Sequence, residues 1–360
     1  MYTPPFTITA KAINLIAEIS AQVERFAIRM EQEDSLMLRK VNRMQTIRGT
    51  LAIEGNTLSE EQVTALIDGK HVVAPVKEVQ EVRNAITAYD SFMDFNPYNQ
   101  KDLLKAHGMM ALGLVDNPGH FRHGAVCVAG KKGVSHIAPP ADRVPFLIGD
   151  LFEWLKNSQD HALIKSSVFH YEFEFIHPFD DAHVPQGTNL NNFHSCKRRE
   201  AAYGNGRMGR FWQSRILAEW NPVFAHIPIE NMIWENQAAY YKAIEDSTDA
   251  NDSGIFVDFM LGVILHALKA RIQKQKSLNQ DESVTANDTV KVTQKVNVKV
   301  NVNQQKILEE LRKNPHITMD ELSKLVGIAK KNIFNNMKKL QEAGLLKRVG
   351  ADKNGYWEVL

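Results

Sequence analysis

The chain has 360 residues, of which 43 are Lys or Arg and 42 are Asp or Glu, so its formal net charge is +1. Hydrophobic residues make up 44% and charged residues 24%, a composition that excludes wholesale disorder and predicts two or three globular domains. The balanced charge excludes a uniformly basic nucleic-acid coat, although it is compatible with a local basic patch. Cys127 and Cys196 form no closely spaced pair, so neither a disulfide framework nor a structural zinc site is expected.

The ends and apolar runs of the chain indicate its compartment. The first residues lack the basic start and the long apolar run of a secretory signal. The most apolar later stretch, residues 256–268, contains Asp258 and His266 and is too short to span a bilayer. We therefore expect a protein of the reducing cytoplasm that makes no contact with a membrane.

Helical periodicity dominates the first 275 residues. Apolar residues at spacings of three and four predict helices over 79–93 and 144–155, and a further helix over 163–176 stops at His177-Pro178. Residues 125–137 hold two short β-rich runs around a glycine-containing turn, which is typical of a β-hairpin. The predicted fold class is mainly α.

A change of composition marks the second half of the chain. Between about residues 274 and 303 the aromatic residues vanish and Gln, Asn, Ser, Thr, Lys and Asp take over, so 274–303 is predicted to be a linker. Within it, the run VKVTQKVNVKVNVN alternates valine with polar residues, a pattern that fits a half-buried strand and biased linker sequence equally well.

Residues 304–360 have the pattern of a separate small domain. Apolar spacing predicts a first helix, Thr318 and Glu321 form a capping box for a second, and a third covers residues 329–342. Two short β-rich runs then flank Ala-Asp-Lys-Asn-Gly and predict a hairpin. Three helices followed by a hairpin indicate a winged helix-turn-helix.

Two charged segments between residues 177 and 210 carry the chemistry. The first, His177-Pro178-Phe179-Asp180-Asp181, supplies a histidine able to act as a base and a carboxylate able to hold Mg²⁺. The second, residues 204–210 (GNGRMGR), places a glycine-rich turn at the start of a helix, which is a common cradle for phosphate. Arg207 and Arg210 share one helix face beside that turn. Together these parts suit nucleotidyl or phosphoryl transfer.

Each part alone has an ordinary structural explanation. A Gly-Asn-Gly sequence is often a plain turn, and a histidine before proline is often structural. An arginine pair at this spacing is often a solvated helix face. The combination is more specific, because removing residues 182–203 joins the flanks as HPFDDGNGRMGR. That string resembles the signature of the Fic (Fido) family, His-Pro-Phe-x-Asp-Gly-Asn-Gly-Arg-x-x-Arg, at every fixed position.

Other segments resemble the same family over roughly residues 1–270. Residues 48–62 resemble its inhibitory helix, with Thr50, Glu54 and Gly55 at the motif positions. The stretch 119–122 (GHFR), the hairpin 125–137 and the run after it resemble the flap region. The resemblance implies a Fic-type helical bundle with a β-hairpin flap, divided here into an N-terminal helical region 1–100 and a catalytic core 101–273.

The resemblance implies a protein adenylyltransferase that moves AMP from ATP to a Ser, Thr or Tyr hydroxyl of a protein docked on the hairpin. It implies autoinhibition through an ion pair between Glu54 and Arg210, and it leaves open removal of AMP by the same site. Self-association into a homodimer is a further way in which the inhibitory helix could be regulated. The implied roles are base for His177, Mg²⁺ ligand for Asp181, and ATP contacts for Gly204, Asn205, Gly206, Arg207, Gly209, Arg210 and Tyr241.

The 22 residues 182–203 interrupt the motif between the metal ligand and the phosphate cradle. A loop of this length has a modest entropic cost, so both flanks are expected to keep their places with the insert outside. Catalysis is nevertheless sensitive to shifts of about 1 Å. The alternative is therefore a catalytically impaired Fic-fold protein that acts through its winged helix as a DNA-binding or protein-binding regulator.

The winged-helix region carries the local basic patch. Residues 301–360 contain 11 Lys and Arg against 7 Asp and Glu, whereas the rest of the chain is mildly acidic. Lysine and asparagine side chains on the predicted helix 329–342 suit phosphate and base-edge contacts, so this helix is the candidate DNA contact.

Overall fold

The computed structural model describes residues 2–32, 35–130, 133–180, 204–283, 302–315, 317–326, 328–342, 346–349 and 356–359. The insert 182–203, the metal-ligand candidate Asp181 and the valine-rich run up to residue 301 lie outside the described residues. The chain forms two compact units, Met1–Val284 and Thr285–Leu360.

The first unit is helical, as the periodicity predicts. Its described helices are α1 (Ala10–Gln32), α2 (Ser35–Ile53), α3 (Glu60–Ile67), α4 (Val76–Asp90), α5 (Gln100–Met110), α6 (Val144–Asn157), α7 (Ala162–Ile176), α8 (Asn205–Trp220), α9 (Ile229–Glu235), α10 (Gln237–Ala250) and α11 (Gly254–Ser283). Short 3₁₀ turns occupy Phe92–Asp94, Ala141–Arg143 and Pro222–His226.

The predicted hairpin is present in this unit. Strands β1 (Cys127–Gly130) and β2 (Gly133–Ile137) pair antiparallel, and the register shifts between Val128 and Ala129. Such a bulge bends one strand and raises its twist, which is common near functional sites.

A continuous apolar core runs through the first unit, across the predicted boundary at residue 100. At its centre α7 packs on α8, and every α8 residue from Asn205 to Ala218 is buried. Because α8 is buried on all sides, its polar side chains need protein partners. Arg215, for example, donates from Nε to the Phe95 carbonyl at 2.7 Å.

The start of the predicted linker is corrected by the structure. Helix α11 continues to Ser283, so residues 274–283 are helical and not linker. This stretch has no Gly or Pro, and six of its ten residues are Lys, Gln, Leu or Glu, which are favourable in a helix, so polarity alone does not end α11. No described helix is long and apolar enough to cross a membrane.

The second unit has the predicted winged-helix elements. They are α12 (Val302–Lys313), α13 (Met319–Val326), α14 (Lys330–Glu342), β3 (Leu346–Val349) and β4 (Tyr356–Val359), the last two paired antiparallel. The capping box is formed, since Thr318 N–H donates to Glu321 Oε2 at 2.8 Å and Glu321 N–H to Thr318 Oγ1 at 3.3 Å. Helix α12 begins two residues before the predicted boundary at 304.

Candidate active site

Helix α7 delivers the motif histidine at its C-terminal end. His177 caps the helix in the left-handed region (φ 50°), and its N–H donates to the Phe173 carbonyl at 2.9 Å. Proline at 178 disfavours a further helical residue, so the chain turns here. A left-handed conformation without glycine has a cost that surrounding contacts must offset.

Arg122 provides those contacts. Its Nε donates to the His177 carbonyl at 2.7 Å, and its backbone N–H donates to the Pro178 carbonyl at 2.9 Å. Its Nη atoms donate to the carbonyls of Gly124 at 2.7 Å and Pro139 at 2.5 Å, on either side of the hairpin. One buried guanidinium therefore ties the motif turn to the flap.

Asn205, at the first position of α8, joins the two motif segments. Its Oδ1 accepts from the Phe179 N–H at 2.8 Å and its Nδ2 donates to the Phe179 carbonyl at 2.9 Å. The Phe179 ring is buried and stacks on His107, with ring centroids 3.6 Å apart. Residues 179 and 205 therefore meet in space although the 22-residue insert separates them in sequence.

The N-terminus of α8 faces a carboxylate. A Cβ built on Gly206 would lie 2.4 Å from Glu54 Oε1, so only glycine allows this carboxylate to approach. Glu54 Oε1 accepts from Arg210 Nη2 at 2.6 Å, and the Glu54 side chain is 7% exposed. The first N–H groups of a helix have no partner within it and carry its positive dipole end. The glycine turn and Arg210 thus lie around a carboxylate, and the phosphate contacts that the motif implies stay a prediction.

Glu54 reaches this position because α2 ends just before it. Ile53 is the last residue of α2, and Gly55 adopts φ 87°, which ends the helix in the left-handed region. Thr50, one turn earlier, accepts from Arg210 Nε at 3.3 Å through its hydroxyl and from Nη2 at 3.2 Å through its carbonyl. The ion pair that the family resemblance implies is therefore present and is supported by Thr50.

Neighbouring carboxylates stabilise the positive charge of Arg210. Burial alone would lower its pKa, but the charge of Glu54 beside it raises the pKa above its ordinary value. Tyr241 lies close to the same pair: burial first, and then the charge of Glu54, raise its pKa to about 12. The residue is 46% exposed, so Tyr241 forms an accessible edge beside the ion pair, and its nucleotide contact stays a prediction.

Arg207 has a different partner. Its Nη2 lies 3.3 Å from Glu81 Oε2, and both side chains are nearly fully buried. Glu81, on α4, also accepts from Asn56 Nδ2 at 2.8 Å, and Asn56 directly follows the inhibitory motif. Neither Glu81 nor Asn56 carries a sequence signal, because a single charge on an amphipathic helix and an asparagine after a glycine are ordinary.

A further carboxylate, Glu174, lies one helical turn before His177. A Cβ on Gly209 would lie 2.6 Å from Glu174 Oε1, which explains the small residue at that motif position. His170 lies between Gln213 Oε1 at 2.6 Å and the Tyr240 hydroxyl at 3.1 Å, so a buried polar chain backs the site. Glu174, His170 and Gln213 were not predicted from the sequence.

The described residues allow only a partial test of the predicted metal site. No group of three or more His, Cys, Asp or Glu among them is arranged to hold a metal ion. Mg²⁺ commonly binds through one or two carboxylates together with substrate phosphates and water. The two aspartates after Phe179 are therefore of a residue type that suits Mg²⁺, and Asp181, the predicted ligand, lies outside the described residues.

Comparison with known proteins agrees with this geometry. The Fic/DOC family matches residues 97–182, and the family of winged helix-turn-helix DNA-binding domains matches residues 301–347. A probable protein adenylyltransferase of Aquifex aeolicus is 25% identical over 233 residues, covering 63% of this chain and 57% of its own length. The protein adenylyltransferase Fic of Culex quinquefasciatus is 32% identical over 152 residues, covering 38% and 29%. The chain thus spans about half the length, or less, of these two curated relatives.

Solved structures extend the match over the whole chain. The crystal structure of a Fic family protein from Desulfovibrio desulfuricans G20 is 35% identical, covers 100% of this chain and 98% of its own, and superposes with a TM-score of 0.68. A Fic-1 fragment from C. elegans shares the fold at 18% identity, with 74% and 73% coverage and a TM-score of 0.53. The two motif segments joined through Asn205, the Glu54–Arg210 pair and the full-length match lead to one conclusion: this chain belongs to the Fic family.

Proposed function

We propose that this protein is an adenylyltransferase that moves AMP from ATP to a Ser, Thr or Tyr hydroxyl of another protein in the cytoplasm. The observation that carries the proposal is the carboxylate of Glu54 on the N-terminus of α8. An anion held by Arg210 beside Gly206 occupies the place where a phosphate would bind. The adenylyltransferase names of two relatives support the same reaction class.

The transfer requires a base, an anion cradle and a leaving group. His177, at the end of α7, takes the proton of the target hydroxyl, whose oxygen attacks the α-phosphorus of ATP. The bond from that phosphorus to the β-phosphate bridge oxygen breaks, and pyrophosphate leaves. Arg207, Arg210 and the N–H groups of residues 204–206 neutralise the phosphates. Asp181 would hold Mg²⁺, which supplies further positive charge to the phosphates.

Regulation is part of the proposal. Arg210 binds either Glu54 or a phosphate, because both compete for one guanidinium fork. The resting protein is therefore inhibited until α2 shifts or Glu54 leaves. With Glu54 in place the same site could orient water and remove AMP from a modified protein.

The test is transfer of label from ATP to protein. Wild type, Glu54→Gly and His177→Ala are incubated with Mg²⁺ and either α-labelled or γ-labelled ATP. We expect α-label on protein for Glu54→Gly, less for wild type and none for His177→Ala. γ-label should stay off protein in every case, which separates AMP transfer from phosphoryl transfer. No α-label on protein with Glu54→Gly would rule the proposal out.

The insert needs its own variant in that assay. Deleting residues 182–203 in the Glu54→Gly background restores the uninterrupted motif string. Label that appears only after the deletion would mean that the insert blocks the site of the natural protein. Equal label with and without the insert would mean that Asp181 and Gly204 take their places in its presence.

The winged helix favours a second function, DNA binding. Along α14 the side chains of Lys330, Lys331, Asn335, Lys338 and Lys339 are exposed. Such a surface suits phosphate and base-edge contacts. A salt-dependent mobility shift with the full chain tests it, with Lys331→Glu/Lys338→Glu as the control. No shift at low salt, or an equal shift with the control, would remove this function.

A further inference from the structure

A second cleft lies on the inhibitory helix, away from the motif segments. It has a volume of about 520 Å³ and is bounded by α2, the end of α3, the end of α4 and residues 224–230. Its apolar lining comes from Ile67, Phe92, Met93, Phe224 and Ile227. Clefts of this volume that combine apolar walls with a set of polar groups are typical of small-molecule sites.

A buried carboxylate forms part of the inner wall of this cleft. Glu230 is 1% exposed, and its Oε1 accepts from Ser214 Oγ at 2.9 Å and from the Tyr89 hydroxyl at 3.2 Å. Its Oε2 has no hydrogen-bond partner in the part of the chain that the structure describes. A buried carboxylate oxygen without a partner has a large desolvation cost, which a bound donor would offset.

The other charges of the cleft indicate which donor fits. Arg43, its one lysine or arginine, forms an ion pair with Asp90 at the rim. Asp68 is a further carboxylate of the lining. Carboxylates therefore outnumber Arg43 by three to one, which disfavours an anion. A divalent metal ion is disfavoured as well, because no three acidic, histidine or cysteine side chains among the described residues are arranged to hold one.

The cleft is connected to the inhibitory ion pair. Arg43 and Thr46 of its lining share a face of α2 with Thr50, at spacings of three and four. The Thr50 side chain interacts with the Tyr89 hydroxyl, and Tyr89 in turn donates to Glu230 Oε1 at 3.2 Å. On its other side Thr50 accepts from Arg210. Tyr89 and Thr50 thus connect Glu230 to the arginine that pairs with Glu54.

We propose that this cleft binds a small primary amine with an aromatic or branched apolar body. The ammonium group donates to Glu230 Oε2 and the body packs against Phe92 and Phe224. Binding of the amine changes the contacts among Glu230, Tyr89 and Thr50. Through Thr50 it also changes the ion pair between Arg210 and Glu54. The binding step stands by itself, whereas its effect on AMP transfer rests on the proposed function.

Titration calorimetry on the full chain tests the binding step with three probes of matched shape. Phenethylamine carries the ammonium group, phenethyl alcohol is its neutral counterpart and hydrocinnamate its anionic one. We expect phenethylamine to bind wild type most tightly and hydrocinnamate not to bind. Glu230→Gln should weaken phenethylamine by about tenfold and leave phenethyl alcohol unchanged, since only the charged donor needs the carboxylate.

Two further variants complete the test. Glu172→Gln alters another buried carboxylate, which binds Tyr2 and is not part of the cleft lining, so it should leave phenethylamine binding unchanged. Ala225→Leu fills the cleft and should abolish it. Thermal unfolding of each variant verifies that it is folded. No binding of phenethylamine to wild type, or equal binding to wild type and Glu230→Gln, overturns the site.

The coupling is measured separately, as ATP affinity with and without phenethylamine. We expect saturating amine to change the ATP dissociation constant of wild type by about fivefold or more, a normal coupling between sites. The change should vanish in Glu54→Gly, where Arg210 has no carboxylate to release. Unchanged ATP affinity in wild type refutes the coupling. Failure of Glu54→Gly to bind ATP at all would count against the proposed function and leave the amine site standing.

Discussion

Two arginines of α8, three residues apart, have buried carboxylate partners of different origin. Arg210 pairs with Glu54 at 2.6 Å, and Glu54 follows the last residue of α2. Arg207 pairs with Glu81 at 3.3 Å, and Glu81 lies inside α4. A residue at a helix end can leave when one terminus frays, whereas a residue inside a helix moves only with the whole helix. One pair is thus suited to regulation and the other to support.

The surroundings of the two pairs sharpen this difference. Glu81 binds Asn56 as well as Arg207, so its removal would take one acceptor from each of these two donors. Arg210 keeps Thr50 after Glu54 is removed, through the hydroxyl and the carbonyl. The loss of Glu81 should therefore act on folding, and the loss of Glu54 chiefly on activity.

The largest expected effect is on the supporting pair. Glu81→Ala should lower the free energy of unfolding by about 3–5 kcal/mol, because it removes one partner of a buried ion pair and leaves the charge of Arg207 buried. Urea denaturation of the full chain measures this. Glu81→Gln, which keeps an acceptor for Asn56, should lose less. Equal stability of wild type and Glu81→Ala would contradict a supporting role for the Arg207–Glu81 pair.

Glu230, a buried carboxylate that forms no ion pair with an arginine among the described residues, should show what such pairing contributes. For Glu230, burial raises the pKa from 4.5 to about 7. Because the pKa of Glu230 is raised in the folded state, its contribution to stability is largest below the ordinary pKa of the carboxyl group. This contribution is lost as the pH rises through about 7. The loss is about 3 kcal/mol, from a shift of about 2.5 units at 1.36 kcal/mol each.

Urea denaturation of wild type and Glu230→Gln from about pH 4 to about pH 8 checks this. The difference between the two curves isolates Glu230 from Glu172, whose pKa burial also raises to about 7. The difference also cancels the contribution of His107. Burial lowers the pKa of His107 to about 3, so this contribution to stability is lost as the pH falls below the ordinary pKa of histidine. A difference that does not vary with pH would exclude an ionisable buried Glu230.

The fold was largely predictable because its helices are marked by apolar spacing and by stop signals. Helix α7 ends at the residue before His177-Pro178, and the winged-helix strands cover the predicted residues. The predicted start of the linker at residue 274 was wrong by ten residues, because composition identifies polarity and not the end of a helix. The strand alternative at 290–301 lies outside the described residues, so it stays a prediction.

The site was predictable only where the motif fixes residue types. Glycine at 206 and arginine at 210 have positions that the close approach of Glu54 requires. The partners that complete the site, Arg122 and Glu81, come from distant segments and carry no local pattern. The roles of His177 and Asp181 stay predictions. Contacts that depend on tertiary packing cannot be derived from spacing along one helix.

The regulatory pair should affect stability less than the supporting pair does. Glu54→Gln should cost about 1–3 kcal/mol of unfolding free energy, because an amide can still accept from Arg210 and Thr50 remains. Urea denaturation of Glu54→Gln and Glu81→Gln under the same conditions gives the matched comparison. A larger loss for Glu54→Gln than for Glu81→Gln would mean that the end of α2 is the structural anchor and α4 the movable partner.

Thr50 should give the smallest change in stability and separate packing from hydrogen bonding. Valine matches the shape of threonine and removes only the hydroxyl, so Thr50→Val should cost about 1 kcal/mol. Arg210 would keep Glu54 and the Thr50 carbonyl, whereas the link from Arg210 to Tyr89 would be lost. Since Arg210 is then held by fewer acceptors, ATP should displace Glu54 more easily, and AMP transfer should rise severalfold. Thr50→Ser, which keeps the hydroxyl, should transfer AMP at the wild-type rate. If Thr50→Ser were as active as Thr50→Val, the loss of the hydroxyl would not explain the increase, and the hydrogen bond would not control Glu54.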